Sequence, residues 1–268
     1  MEPKNRNVLI VVIVVLVLAC CCVLALAAGA VGWLTSRYAD IEGEPFDLGA
    51  LQQERVEEAF EVGDAPSLEI TNFAGSVSIQ PGEGNVIHVV AIKKASSQSR
   101  LDRIEVDMKE ASNGVVIKTR KLFDTGNASV NLEITAPAGS RVSVDTGAGT
   151  VEVQDITGQI DIHSGAGEVD VSGAQGTIHV DLGAGQITYE GTPSGDCRFQ
   201  TGAGEIILRL PENPNVRIDV GTGLGAVDVG FDVDGRVSLR SVEGVIGDGR
   251  QGTISAHTGA GSVNLWRH

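Results

Sequence analysis

The sequence predicts an all-β protein: a single-stranded β-solenoid with about 18–21 residues per repeat, preceded by one transmembrane helix. Three observations carry this expectation. A Gly-Ala-Gly triplet returns at a near-constant interval after residue 141. Apolar and polar residues alternate on both sides of each triplet. A run without a charged residue fills positions 8–34.

The composition favours thin, layered β structure. The chain has 268 residues, of which 35 are glycine, while Phe, Trp and Tyr together make only 4%. A core of large aromatics is therefore disfavoured, and Val, Ile and Leu must fill it. The formal net charge of −15 excludes nucleic-acid recognition by a basic patch, which needs clustered Lys and Arg. Of four cysteines, Cys20, Cys21 and Cys22 lie in the apolar run and only Cys197 lies beyond it, so the remainder has no intrachain disulfide framework. Cys197 occupies a position where neighbouring repeats carry Val or Ile, and reads as a small buried hydrophobe.

Taken in order, residues 1–7 read as a cytoplasmic tail, 8–34 as the transmembrane helix and 35–54 as a stalk. As a helix, 8–34 would span roughly 40 Å, enough for a hydrocarbon core of about 30 Å. Lys4 and Arg6 precede it, and Asp40, Glu42 and Glu44 follow. That bias places the N-terminus in the cytoplasm and the bulk of the chain outside, as a single-pass protein of the cell membrane with lipid as a partner of 8–34. Two rival readings exist: signal cleavage at Ala28-Gly29-Ala30, and acylation at Cys20. The apolar run is longer than a signal core and continues well past Cys20.

Residues 55–268 form the β region. The part from 55 to 140 is irregular. Val56, Phe60 and Val62 begin a β-like alternation, with a short amphipathic helix over 48–60 as the competing pattern. A strand–glycine turn–strand unit runs from Leu68 to Ile79, and further strands are predicted at 86–92, 104–108, 115–119 and 130–135.

From 141 to 268 the unit is apolar-x-apolar-x-hydroxyl-Gly-Ala-Gly-x-apolar-x-apolar. The clearest triplets open and close at Gly147 and Gly149, Gly165 and Gly167, Gly183 and Gly185, Gly202 and Gly204, and Gly259 and Gly261. Two degenerate copies fall around Gly225 and Gly244. Successive second glycines are then 18, 18, 19, 21, 19 and 17 residues apart by subtraction. Glycine suits a corner because it accepts positive φ and adds no bulk when corners stack. The preceding hydroxyls, such as Thr146, Ser164, Thr201 and Thr258, point inward by alternation and are placed to satisfy turn backbone groups. Trp266 is placed to cap the final rung. Strand–turn–strand units also fit a hairpin-based β-sandwich, but the repeated register of apolar positions favours the solenoid.

The unit Leu68–Ile79, the segment Val130–Gly139 and the Gly-Ala-Gly repeats together resemble a bacterial putative-adhesin family, a domain of unknown function. The resemblance covers about residues 55–268. It implies an N-terminal span, a cell-envelope location and a β-helix-like fold, and supplies no catalytic residues.

Stacking in register generates one chemical cluster. Asp161, His163, His179 and Asp181 fall on adjacent rungs about 4.8 Å apart, on the outward face. Two imidazoles and two carboxylates are acceptable zinc ligands, but an alternately charged, solvated face is the favoured reading of them. No nucleophile elbow, Walker loop or His-Glu-x-x-His occurs, and the glycines lead into strands rather than a helix. No cofactor is expected. The favoured function is a non-catalytic adhesin or surface binding module that contacts glycans or envelope proteins. The alternatives are a scaffold or sensor subunit that binds membrane proteins, and a polysaccharide-active β-helix enzyme using outward acids such as Glu152, Glu168 and Asp170.

Overall fold

The computed structural model describes residues 51–122 and 126–268. The chain follows the predicted alternation closely. The strands are β1 (Gln52–Glu61), β2 (Ser67–Asn72), β3 (Val77–Pro81), β4 (Val86–Ala95), β5 (Ile104–Ala111), β6 (Gly114–Lys121) and β7 (Ala128–Ala136). They continue with β8 (Arg141–Gln154), β9 (Ile160–Ser172), β10 (Ile178–Glu190), β11 (Asp196–Leu210), β12 (Val216–Val229), β13 (Asp234–Val237), β14 (Ser241–Ile246) and β15 (Gly252–Arg267). One helical turn, α1 (Gln98–Leu101), sits in the Ser-rich connection after β4, where no periodic pattern announced it. Over 52–61 the competing amphipathic helix gives way to β1, whose half-buried Val56 and Phe60 pack on the core.

The repeats stack as parallel rungs. Each of β8–β12 and β15 is one continuous strand bent at its glycine corner, giving a first arm before the corner and a second arm after it. Equivalent residues pair across rungs, so Val142 lies beside Ile160, Ile160 beside Ile178 and Ile178 beside Cys197. β2 and β3 together make one further rung, whose arms pair with the two arms of β8. Beyond that rung the first arms are extended by β6 and β5, and the second arms by β7, β4 and β1.

The order of rungs departs from the order of sequence. β11 pairs with β15, and β15 pairs with β12, so the strand made later is inserted between two made earlier. The repeat assigned around Gly244 is not a rung. β14 runs antiparallel to β12 and then to β13, which ends the sheet. Trp266 is accordingly on an internal rung, 41% exposed, and caps nothing.

The glycine corners show why the repeat is so strict. Gly149, Gly167, Gly185, Gly204, Gly261 and Gly225 all have φ between +133° and +142° or, for Gly204, +146°. A Cβ built on any of them would overlap the carbonyl oxygen of the corner glycine on the adjacent rung. Two independent constraints therefore select glycine there, backbone handedness and contact distance.

Val142, Val144, Val151 and Val153 are fully buried, as are their equivalents on the other rungs except Val227 and Val229 of β12, which are half-buried. Among the described residues two aromatics join this core completely. Tyr189, on the second arm of β10, meets Phe199, on the first arm of β11, with ring centroids 5.2 Å apart, so the pair ties the two arms together. At the far side from the repeats, Lys93 is buried against Glu54 at 2.6 Å and fastens β1 to β4.

The assignment to the cell membrane as a single-pass protein is corrected. Among the described residues no helix is long and apolar enough to cross a membrane. The one helix among the described residues, α1, has four residues and spans about 6 Å, against the ~30 Å required. The segment 8–34 lies outside the described residues.

Candidate functional site

The outward side chain two positions before each first corner glycine forms a column. In spatial order it reads Asp145, His163, Asp181, Gln200 and His257, one from each of β8, β9, β10, β11 and β15. Beside it the exposed corner glycines, including Gly147, Gly183, Gly202 and Gly259, leave no side-chain bulk. The result is a groove of about 890 Å³ that crosses the rungs, walled by the column and floored by the corners.

The four residues expected to cluster do so. His163 Nδ1 lies 3.5 Å and His179 Nε2 3.2 Å from the same oxygen, Asp181 Oδ2. His179 Nδ1 is 3.9 Å from Asp161 Oδ1, and the two imidazole rings meet edge to face with centroids 5.8 Å apart. Asp161 also accepts a hydrogen bond from Gln159 Nε2 at 2.7 Å. The carboxylates and imidazoles thus pair with one another along the rungs. Among the described residues no group of three or more His, Cys, Asp or Glu side chains is disposed to hold a metal ion.

In the chain, two degenerate copies separate His257 from Gln200. Insertion of β15 brings it directly beside Gln200 and 3.4 Å from Asp219 of β12. One signal pointed that way. The Gly259-Ala260-Gly261 corner is intact like those of β8–β11, whereas β12 carries Gly223-Leu224-Gly225.

Beneath the groove the hydroxyl column is only partly satisfied. Thr258 Oγ1 donates to Gly204 O or Ala260 O, each at 3.2 Å, Thr222 Oγ1 to Gly261 O at 3.0 Å and Thr201 Oγ1 to Ala203 O at 3.4 Å. Thr146 Oγ1 and Ser164 Oγ are buried and have no partner in the structure. The expected capping role holds toward the β12 end and lapses at β8 and β9.

A family comparison decides the relationship. Residues 63–265 match the Toastrack DUF4097 description.

The chain belongs to the Toastrack DUF4097 family.

One solved structure shares the fold of this chain. A structure described as a putative cell adhesion protein from Clostridium sporogenes superposes with a TM-score of 0.51 at 14% identity, covering 81% of this chain and 100% of that one. This likeness is one of fold. A putative adhesin from Bacteroides fragilis gives a TM-score of 0.32 at 11% identity, covering 79% of this chain and 97% of that one. A putative lipid binding protein from Parabacteroides distasonis gives 0.32 at 11%, with 79% and 96% covered. No curated protein sequence matches this Toastrack chain.

Proposed function

We propose that the protein is a non-catalytic surface binding module of the adhesin type, and that its ligand is an extended neutral or amine-bearing glycan laid along the groove. The observation that carries this reading is the groove itself, which offers one hydrogen-bonding side chain per rung over five rungs. A wall of Asp, His and Gln both donates and accepts, which suits a polymer rich in hydroxyls. Asp145 and Asp181 in the wall, and a chain charge of −15, disfavour an anionic polymer. Tyr189 and Phe199 are buried in the core, so recognition rests on hydrogen bonds rather than on stacking. The name given to the Clostridium sporogenes protein of like fold is in keeping with such a role.

The test is a glycan array probed with the full chain and with Gln200→Ala and His163→Ala/His257→Ala variants. Retention of neutral or amino glycans, lost in the variants, supports the reading. If no glycan is retained while an envelope protein is captured and still captured by the variants, the scaffold or sensor reading replaces it.

A further inference from the structure

The end of the stack beyond β12 differs from every other surface of the sheet. Leu224, Val237 and Leu239 are the three most exposed large hydrophobics among the described residues, at 67%, 68% and 75%. All three belong to the final rung or to the β13–β14 hairpin that follows it. Leu224 replaces the alanine of the Gly-Ala-Gly corner, and Leu239 O accepts from Val227 N at 3.0 Å, which holds the hairpin turn against β12. β13 is an edge strand with one side unpaired. It is four residues long and carries no proline, and its two charges, Asp234 and Arg236, are of opposite sign.

We infer that β13 is a self-association edge, and that its occupant is β13 of a second copy of this chain, paired antiparallel about Gly235. This edge is self-complementary. In that register Gly235 faces Gly235 of the second copy, Asp234 faces Arg236, and Val233 faces Val237. By alternation Asp234 and Arg236 share one face, so each carboxylate meets a guanidinium across the interface, twice by symmetry. Val233 and Val237 share the other face, which is also that of buried Val242, the direct partner of Val237. Arg236 lies opposite Glu243 of β14 without forming an ion pair, and Asp234 has no ion-pair partner among the described residues, so both charges are available. Gly235 adds no side chain at the centre. The opposite edge, β1, could not do the same. It bears Glu54, Glu57, Glu58 and Glu61 against one Arg55, and self-pairing would set glutamates against each other. An isologous contact closes after two copies, which bars open-ended growth from this edge. The inference is independent of the groove, which reaches β12 only at Gly223 and involves neither β13 nor Leu239.

The experiment is sedimentation velocity of the full chain over a concentration series, with Asp234→Arg, Arg236→Asp and the double exchange Asp234→Arg/Arg236→Asp. The expected result is a concentration-dependent doubling of mass in the natural sequence, a monomer in each single variant, and return of the dimer in the double variant. Return of the dimer also shows that the single variants fail by charge and not by unfolding. Val237→Glu should give a monomer with an unchanged melting temperature. A natural chain that stays monomeric, a dimer indifferent to both single reversals, or a ladder of higher masses from head-to-tail contact would each overturn the inference. A monomer would leave the edge to a strand of another protein.

Discussion

The indole Nε1 of Trp266 donates to Asp228 Oδ2 across 3.3 Å, although 38 residues separate the two in the chain. The bond spans β15 and β12 and records the insertion of a later strand between two earlier ones. Ile254, Ala256, Val263 and Leu265 of β15 are fully buried between the flanking rungs.

Removal of Gly252–Arg267 should therefore abolish the cooperative fold of β11 and β12 rather than trim an end. Each of the two strands would lose a full ladder of hydrogen bonds and a column of apolar contacts. Circular-dichroism melting of the truncated chain should lose its sharp transition or show it at a much lower temperature. A truncated chain melting like the intact one would refute the rung order.

Gly167→Ala tests the corner. The new Cβ meets both a φ of +133° and the carbonyl oxygen of Gly149, so a loss of about 3 kcal/mol or more in urea unfolding is expected. Gly139→Ala is the matched control. Nothing lies within 4 Å of a Cβ there and its φ is not positive, so the change should stay within about 0.5 kcal/mol.

Cys197 provides a pH signature. Burial, with a smaller contribution from Asp196, pushes its thiol up to about 12 from an ordinary 9.0. The thiol should resist alkylation at pH 8 in the folded chain and react once the chain is unfolded, as read by peptide mass spectrometry. The linkage has a definite sign. Below pH 9 the thiol is protonated in both states and its contribution to stability is complete. Between pH 9 and 12 only the unfolded chain ionises, so stability falls by up to about 1.4 kcal/mol per pH unit. Cys197→Val, which matches the branched residues Ile178 and Ile254 beside it, should shallow that alkaline slope. Part of the slope will persist, because burial also raises the Tyr189 phenol.

The Asp161, His163, His179 and Asp181 cluster distinguishes a metal site from a paired surface. The pairing of Asp181 with both imidazoles leads to the expectation that zinc leaves the melting temperature unchanged, and that His163→Ala/His179→Ala shifts it by no more than exposed ion pairs do. Bound zinc in the purified chain, lost together with several degrees of melting temperature in the double variant, would establish the metal site instead.

Much of this architecture was legible because it repeats. The period-two alternation placed Val142, Val144, Val151 and Val153 in the core, and the corner glycines fixed the register in which His163 and Asp181 meet. Most strands before residue 140 also stood out as short β-branched runs bounded by Gly, Pro or Ser, whereas β1, with Val56 as its one β-branched residue, shared its stretch with a competing helical pattern. Rung order was not legible for a physical reason. Every intact corner fits against every other, so a repeat period says how rungs stack but not which rung is whose neighbour. His257 was missed as a groove residue on that account alone. The β13–β14 hairpin was misread because Gly244 keeps the spacing of a corner while its backbone stays extended within an antiparallel ladder.

The interleaving of β15 has a temporal side. During synthesis β8 to β11 can zip together as each emerges, every new rung finding its template already in place. β12 has no such template, because its neighbour has yet to be made. It must wait with Ile218, Val220 and its hairpin uncovered until β15 arrives and slides between. The nascent chain thus passes through a stage in which two unsaturated edges face each other across an empty slot, and that stage is where a chaperone would find it.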